Sequence, residues 1–381
     1  MISVSFVALN FVAFVVPGCS RSSDPVQISH SSGGAYEAAL DVRKGGFVAA
    51  WYDTRDGNAE IYMRLLDEQG APAGPERRLT NGPEQSYEAS LKTLDDGVAI
   101  AWYDKSADGT LVAKLGVWSF DGRNQWVRTL ATRGRNPVLA RYADDLFCAW
   151  IAAGPDGREA VWGSWFKTTD TEPRPLLIGP AGERTLNLNA IAADYRTAVV
   201  VYDALAGTRA DELFIADVTP FGTQLRQWTD DDGVESKYPD ISGTTQQALT
   251  WFDKRDGNEE IYLAVGSRLA LRQKTVRPIR VTTTRGASIG AYVTWGGRAG
   301  DERLGLAWSD NTEGEHEIYF QAFAPDGHAL APARRVTTNS SASLIPAIVP
   351  AGDGFALAWN EYVAAAELKP ASSQIAFTIV R

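Results

Sequence analysis

The sequence has few of the residues on which reactive sites are commonly built. Its 381 residues include only two cysteines and three histidines. The three histidines (His30, His316 and His328) are scattered along the chain and do not have the short spacing of zinc ligands. The sequence also lacks a phosphate-binding loop, a dinucleotide fingerprint and a nucleophile elbow. These absences make several classes of enzyme improbable.

Basic charge is also in short supply. The chain has 37 Lys and Arg against 47 Asp and Glu, for a net charge of −10, and it contains no basic run. Nucleic acids and anionic membranes are bound by clustered Lys and Arg. We therefore expect no nucleic-acid partner and no direct binding to a lipid surface.

The N-terminus is apolar from Ile2 to Val16 and continues with 'VPGC', which ends at Cys19. This stretch resembles a bacterial lipoprotein signal peptide. The resemblance implies a signal peptide over 1–18, lipidation at Cys19 and a polar tether over 19–24. Because Ser20 rather than Asp follows the cysteine, it also implies an outer-membrane protein that touches the membrane only through its lipid anchor. An ordinary cleaved signal peptide is the alternative, since no Lys or Arg precedes the apolar stretch.

The second cysteine, Cys148, lies in the apolar run 'LFCAW' and is predicted to be a buried core residue. If Cys19 is acylated, Cys148 has no disulfide partner. A disulfide between the two cysteines is the alternative.

A repeat of about fifty residues organises the rest of the chain. Apolar strands end in tryptophan six times, and Val201 takes the equivalent position between the third and the fourth; the tryptophans are Trp51, Trp102, Trp150, Trp251, Trp308 and Trp359. In each unit, alternating strands are separated by turns rich in Gly and Asp, which is typical of antiparallel hairpins. Four strands in a unit of this size match one blade of a β-propeller.

The last unit, which starts near Leu344, contains only three predicted strands. The segment 'PVQISHSS' from Pro25 parallels 'ARRVTTNSS' from Ala333, so we predict that it completes the seventh blade and buries Val26 and Ile28. The predicted fold is all-β, a single seven-bladed propeller of four-stranded antiparallel blades over 25–381, and we expect a monomer.

The segment 'AWYDTRDGNAEIY' and the strand and turn pattern that recurs around it resemble the TolB-type and WD-repeat-like propellers of bacterial envelope proteins. Sialidase-like propellers are a weaker resemblance. Both imply the fold and leave the function open, because propellers serve as binders and as enzymes. With no unique catalytic constellation visible, we expect a non-catalytic propeller that binds an envelope protein or a glycan.

The hairpins that follow the tryptophans are expected to surround the mouth of the central channel. The candidate ligand-binding residues there are Tyr52, Asp53, Arg55, Tyr103, Asp104, Tyr202, Asp203, Phe252, Asp253 and Arg255. The same acid recurs in five blades, so a structural interpretation competes with the functional one. In that interpretation the acid accepts hairpin N–H groups or pairs with Arg55 or Arg255.

A sialidase or another sugar hydrolase is the enzymatic alternative. It would need an arginine cluster for a carboxylate and a tyrosine activated by a glutamate. Arginines are available on this face (Arg55, Arg133, Arg135, Arg255 and Arg285), but no catalytic residue is assigned, and the Asp-box pattern of that family is not reproduced. No cofactor is expected, although calcium is conceivable at Asp230, Asp231 and Asp232; a solvated acidic loop is the alternative.

Overall fold

The computed structural model describes residues 24–167, 174–181, 185, 187–207, 210–363 and 372–381. In these residues the chain is built almost entirely of strands, because alternating apolar and polar residues are separated by turns in which Gly adopts positive φ. The strands form seven four-stranded antiparallel sheets. The prediction of an all-β, seven-bladed propeller is confirmed.

Each blade runs along the chain from its innermost to its outermost strand. The first blade contains β2 (Ala35–Arg43), β3 (Gly46–Asp53), β4 (Glu60–Leu66) and β5 (Arg77–Arg78). The second contains β6 (Gln85–Thr93), β7 (Gly97–Lys105), β8 (Leu111–Ser119) and β9 (Asn124–Ala131). The third contains β10 (Gly134–Tyr142), β11 (Asp145–Ala153), β12 (Glu159–Lys167) and β13 (Leu176–Pro180). The fourth contains β14 (Leu188–Asp194), β15 (Thr197–Ala206), β16 (Ala210–Thr219) and β17 (Gly222–Gln227).

The remaining blades follow the same plan. The fifth contains β18 (Ser236–Ser242), β19 (Gln246–Asp253), β20 (Glu260–Ser267) and β21 (Ile279–Arg280), with a short helix α1 (Arg268–Arg272) after β20. The sixth contains β22 (Ser288–Arg298), β23 (Asp301–Asp310), β24 (Glu317–Phe323) and β25 (Arg334–Arg335). The seventh contains β26 (Ser343–Ala351), β27 (Gly354–Val363), β28 (Ser372–Val380) and the N-terminal strand β1 (Val26–Gln27). The innermost strands of neighbouring blades contact one another all the way around the ring.

The N-terminal strand closes the ring, as predicted. Val26 pairs with Phe377, and the backbone N–H of Ile28 donates to the carbonyl of Ile375 at 2.8 Å. Ile28 is fully buried, but Val26 is 39% exposed, so the prediction that both are buried is wrong for Val26. Val26 is the first residue of the ladder, and at this corner of the outermost strand the neighbouring side chains leave much of it uncovered.

The cores lie between neighbouring blades. Trp51 of the first blade, for example, belongs to one apolar cluster with Ile28 and Phe377 of the seventh. The other tryptophans that end second strands are buried in the same way, which explains why they recur at each blade. Cys148 is fully buried in β11, as predicted. Within the described residues, no helix has the length and apolar character needed to cross a membrane.

Candidate functional site

The central channel has two mouths. We call the upper mouth the end surrounded by the hairpins between second and third strands, such as 54–59 and 254–259, together with the links from each blade to the next. The lower mouth is the end surrounded by the turns between first and second strands, such as 44–45 and 243–245. The residues predicted to bind a ligand lie at the upper ends of second strands or in the hairpins that follow them.

The repeated acid is used inside its own hairpin. The indole N–H of Trp51 donates to Asp53 Oδ2 at 3.0 Å, and the Ser31 hydroxyl donates to Oδ1 at 2.6 Å. The backbone N–H and the guanidinium of Arg55 donate to the same carboxylate at 2.9 and 2.6 Å. Burial alone would raise the pKa of Asp53, but these hydrogen bonds hold it below its usual range.

The same arrangement recurs in other blades. Asp253 accepts hydrogen bonds from Trp251, Ser236 and Arg255, and Asp104 accepts them from Trp102 and Ser86. The guanidinium groups of Arg55 and Arg255 also lie over the rings of Tyr62 and Tyr262. The geometry of Asp53, Asp104, Asp253, Arg55 and Arg255 therefore corresponds to the structural interpretation of the repeated motif.

The arginines are likewise held in their own blades. Arg55 pairs with Glu76 in addition to Asp53, and Arg135 pairs with Glu159 at 2.6 Å. Since Arg55, Arg135 and Arg255 belong to the first, third and fifth blades and each pairs with an acid of its own blade, these three do not form the arginine cluster that a sialidase requires.

The fourth blade departs from the pattern. Tyr202 is fully buried and stacks on Phe214 with ring centroids 5.4 Å apart, so it does not reach the upper mouth. Asp203 is buried and accepts a hydrogen bond from the backbone N–H of Tyr238 at 3.0 Å, and burial raises its pKa to about 6. Phe252 of the fifth blade stacks on Tyr238 at 5.4 Å.

A β-bulge near the upper mouth interrupts the innermost strand in six blades. The extra residue has a positive φ in each case; these residues are Glu37, Glu88, Asn136, Tyr238, Gly290 and Ile345. A bulge of this kind breaks the alternation of the strand and redirects a side chain. The bulges thus set what lines the channel just below the upper mouth.

Five tyrosines from three blades form a continuous arc at the upper mouth. We define the tyrosine arc as Tyr362, Tyr36, Tyr52, Tyr87 and Tyr103, in spatial order. Successive ring centroids are 6.4, 5.2, 5.1 and 5.8 Å apart, within the range of favourable aromatic pairs. All five rings are only partly buried. Two members, Tyr52 and Tyr103, are among the residues predicted from the sequence.

Two glutamates of the bulges lie beside the arc. Tyr103 donates to Glu88 Oε1 at 3.3 Å, and the side-chain amide of Asn136 donates to Oε2. Among the described residues, the Glu37 carboxyl group has no hydrogen-bond partner, and the side chain is half-buried. Burial, together with the nearby Glu88, raises the pKa of Glu37 to about 8. With this pKa, Glu37 is mostly protonated at pH 7, so its O–H is available to donate.

These groups share one electrostatic environment. Burial raises the pKa of Tyr292 in the sixth blade, and the carboxyl groups of Asp240, Glu37 and Glu88 raise it further. Those acids belong to the fifth, first and second blades, so they act on Tyr292 across the channel. Burial also raises the pKa of Asp240, to about 7. The inside of the channel therefore favours neutral acids.

Sequence reasoning missed Tyr36, Glu37, Glu88 and Tyr362 as site residues. A signal was present, because 'YEA' occurs at 36–38 and again at 87–89, at the same point of the first and second blades. No other blade carries these letters at its bulge. The cluster is therefore specific to one side of the ring, unlike the repeated acid.

The acidic loop at Asp230, Asp231 and Asp232 is largely exposed, and Asp230 pairs with Lys274 at 3.2 Å. In the part of the chain that the structure describes, no three His, Cys, Asp or Glu side chains are grouped as metal ligands. Cys19, the predicted lipidation site, lies outside the described residues.

In comparisons with known proteins, no protein-family model matches the chain, and no curated protein matches it. Solved propellers are similar in fold. A puromycin-hydrolyzing peptidase of Mycobacterium tuberculosis has a TM-score of 0.57 at 12% identity, over 89% of this chain and 50% of its own. The phage phi92 endosialidase has a TM-score of 0.54 at 10% identity, over 93% and 68%. A Trypanosoma rangeli sialidase mutant has a TM-score of 0.51 at 10% identity, over 94% and 57%.

The chain thus spans about half the length of the peptidase it matches. At these identities the similarity establishes the propeller fold and does not extend to activity.

Proposed function

We propose that this protein is a non-catalytic binding propeller that recognises a glycan through the tyrosine arc at the upper mouth. The observation that carries the proposal is the position of the unpartnered, half-buried Glu37 carboxyl group beside five partly exposed tyrosine rings. Tyrosine offers an apolar ring face and a polar hydroxyl in one rigid side chain. The C–H face of a sugar can stack on such a ring while its hydroxyl groups bond to the tyrosine hydroxyls and the neutral acid.

The proposal is tested by probing a glycan array with the purified protein and measuring affinity for the best ligand by calorimetry. Tyr52→Ala removes the central ring of the arc, and we expect it to weaken binding at least tenfold. Tyr195→Ala is the matched control, because Tyr195 is 62% exposed in the turn between β14 and β15 at the lower mouth. Absence of any glycan ligand, or equal affinity of the two variants, would contradict the proposal. If the ligand proves to be a protein, the glycan proposal is wrong and the other partner class expected from the sequence, an envelope protein, is supported.

A glycoside hydrolase is the second candidate, and one observation favours it. The Glu88 carboxyl group lies close enough to Glu37 to raise its pKa, and hydrolysis of glycosidic bonds commonly uses a pair of carboxyl groups with one kept protonated. Turnover in a screen of sialosides and common polysaccharides, lost in Glu37→Gln, would establish this alternative. Binding without turnover supports the non-catalytic proposal.

We further propose, on the N-terminal sequence alone, that Cys19 carries the lipid anchor and that the propeller is held at the bacterial outer membrane. Palmitate labelling of the wild-type protein that disappears in Cys19→Ser is the expected result. A protein that is cut near this position and carries no label would contradict it.

A further inference from the structure

A cavity opens at the lower mouth, at the opposite end of the channel from the tyrosine arc. Its volume is about 950 Å³, and residues of the first five blades line it. This is the size of a site for a small organic ligand. No residue of the tyrosine arc lines this cavity, so the cavity is a separate site.

The charged lining of this cavity is positive. Four basic residues (Arg43, Lys44, Lys92 and Arg141) face two acidic ones (Asp41 and Asp95), which leaves an excess of two positive charges. The whole chain, by contrast, has a net charge of −10. A concave, partly desolvated surface of one sign attracts small ions of the other sign.

Most of these charged side chains already have hydrogen-bond or ion-pair partners. The Arg43 guanidinium donates to three backbone carbonyls, and Arg141 donates to two carbonyls and pairs with Asp95 at 2.9 Å. Asp41 accepts hydrogen bonds from the backbone N–H groups of Val42 and Thr93 at 2.9 and 2.7 Å. The two arginines and Asp41 are therefore fixed parts of the wall.

The two lysines differ from the arginines in this respect. Within the described residues, neither the Lys92 nor the Lys44 ammonium group has a hydrogen-bond or ion-pair partner. Lys44 is exposed, whereas Lys92 is half-buried on the innermost strand of the second blade. Asp240 is the channel acid on which the charge of Lys92 acts, but burial raises its pKa to about 7, so at neutral pH it offsets only part of that charge. Because Asp240 compensates only part of the charge of Lys92, a bound anion at this mouth would stabilise that charge further.

We infer that the lower mouth binds a small organic anion through Lys92 and Lys44. A carboxylate or phosphate group lies between the two ammonium groups, and the apolar part of the ligand packs on Ala190, Ile191 and Ala192, which line the same cavity. Carboxylate and phosphate ligands share one or more anionic oxygens, here carried by a small organic molecule. This site is independent of glycan binding at the upper mouth.

The test is calorimetric titration of the whole protein with citrate and, separately, with inorganic phosphate, in a chloride buffer. Lys92→Met keeps the apolar stem and removes the charge. The matched control is Lys105→Met, because Lys105 is exposed at the end of β7 on the upper face and its loss changes the net charge equally.

We expect at least one of the two anions to bind with a Kd below about 1 mM, a weak but specific affinity. We expect Lys92→Met to weaken it at least tenfold and Lys105→Met to leave it unchanged. The response of citrate relative to phosphate then distinguishes a carboxylate from a phosphate ligand. Failure of both anions to bind, or an equal loss in the two variants, would overturn the inference.

Discussion

In the first blade, the carboxylate of Asp53 is fully buried and accepts hydrogen bonds from an indole, a hydroxyl and a guanidinium. Ser31 belongs to the segment that closes the ring, so this carboxylate ties the hairpin of blade one to the N-terminal segment. These contacts support the structural interpretation of the motif 'WYDTRDGN'.

Asp53→Ala should lower the free energy of unfolding by about 3 kcal/mol or more, because it leaves the buried partners of Asp53 unsatisfied. Asp56→Ala, three residues on, removes an acid whose side chain is 38% exposed and whose partners are Tyr62 and Arg78. We expect that control to lose less than about 1 kcal/mol. Urea unfolding of the two variants provides the comparison, and equal losses would count against the assigned role of Asp53.

Glu37 should make stability depend on pH in a defined window. Its pKa rises from 4.5 to about 8 on folding, so the folded state retains a proton that the unfolded state releases. The stability that neutral Glu37 contributes is complete below about pH 4.5 and is lost as the pH rises to about 8. A shift of this size corresponds to at most about 5 kcal/mol, and we expect less, because the side chain is only half-buried and water screens it.

Glu37→Gln cannot ionise, so it should match the wild type at pH 4 and exceed its stability at pH 9. Urea unfolding at both values measures the difference. A variant that is no more stable than the wild type at pH 9 would show that folding does not raise the pKa of Glu37.

At the scale of elements, the bulged inner strands decide what faces the channel. Gly290 occupies the bulge of the sixth blade with a φ of 61°, whereas the seventh blade places the β-branched Ile345 there with a φ of 57°. Left-handed backbone is unfavourable for residues other than Gly, Asn and Asp. Four residues of other types accept this conformation at their bulges (Glu37, Glu88, Tyr238 and Ile345), which indicates that the ring holds the bulges in place.

Gly290→Val should therefore lower stability by about 1–2 kcal/mol through backbone strain alone. Apart from the two chain neighbours of Gly290, no atom lies within 4 Å of a Cβ placed at this position, so the Cβ itself has room. Gly290→Asn is the matched variant, because Asn tolerates positive φ, and it should lose less than half as much. Thermal melting distinguishes the two, and similar losses would mean that strain at the bulge is unimportant.

At the scale of the whole molecule, closure depends on a very short strand. Ile28 is fully buried against the seventh blade, and the Ser29 hydroxyl donates to Gln374 Oε1 at 2.9 Å while accepting the N–H of Ile375 at 2.7 Å. Ile28→Ala should cost about 2–5 kcal/mol, as for other buried aliphatic side chains. Val26→Ala, at a 39% exposed neighbour, should cost much less.

A chain that begins at Gly33 should melt well below one that begins at Ser23, because it lacks β1 and leaves the edge of β28 open. Equal melting temperatures would mean that the N-terminal segment contributes nothing to closure.

The number of blades could be predicted from the sequence because each blade carries its own Trp-ended strand and its own turn residues. These signals are local, and their period survives even where Val201 replaces the tryptophan. The tyrosine arc could be predicted only in part, because its rings come from three blades and form one row only when those blades pack side by side. The raised pKa of Glu37 could not be predicted from the sequence at all, since it arises from burial and from Glu88 in another blade.

The two-residue ladder of β1 also determines how the molecule responds to force. Any tension applied through the residues that precede Val26 reaches the fold first at the pairing of Val26 and Gln27 with Phe377 and Ala376. Few hydrogen bonds share that load, while each longer ladder in the blades distributes it over many. Under mechanical pull from this end, we therefore expect β1 to detach from β28 before any other part of the fold yields, so that the strand that closes the ring is also the first to open under tension.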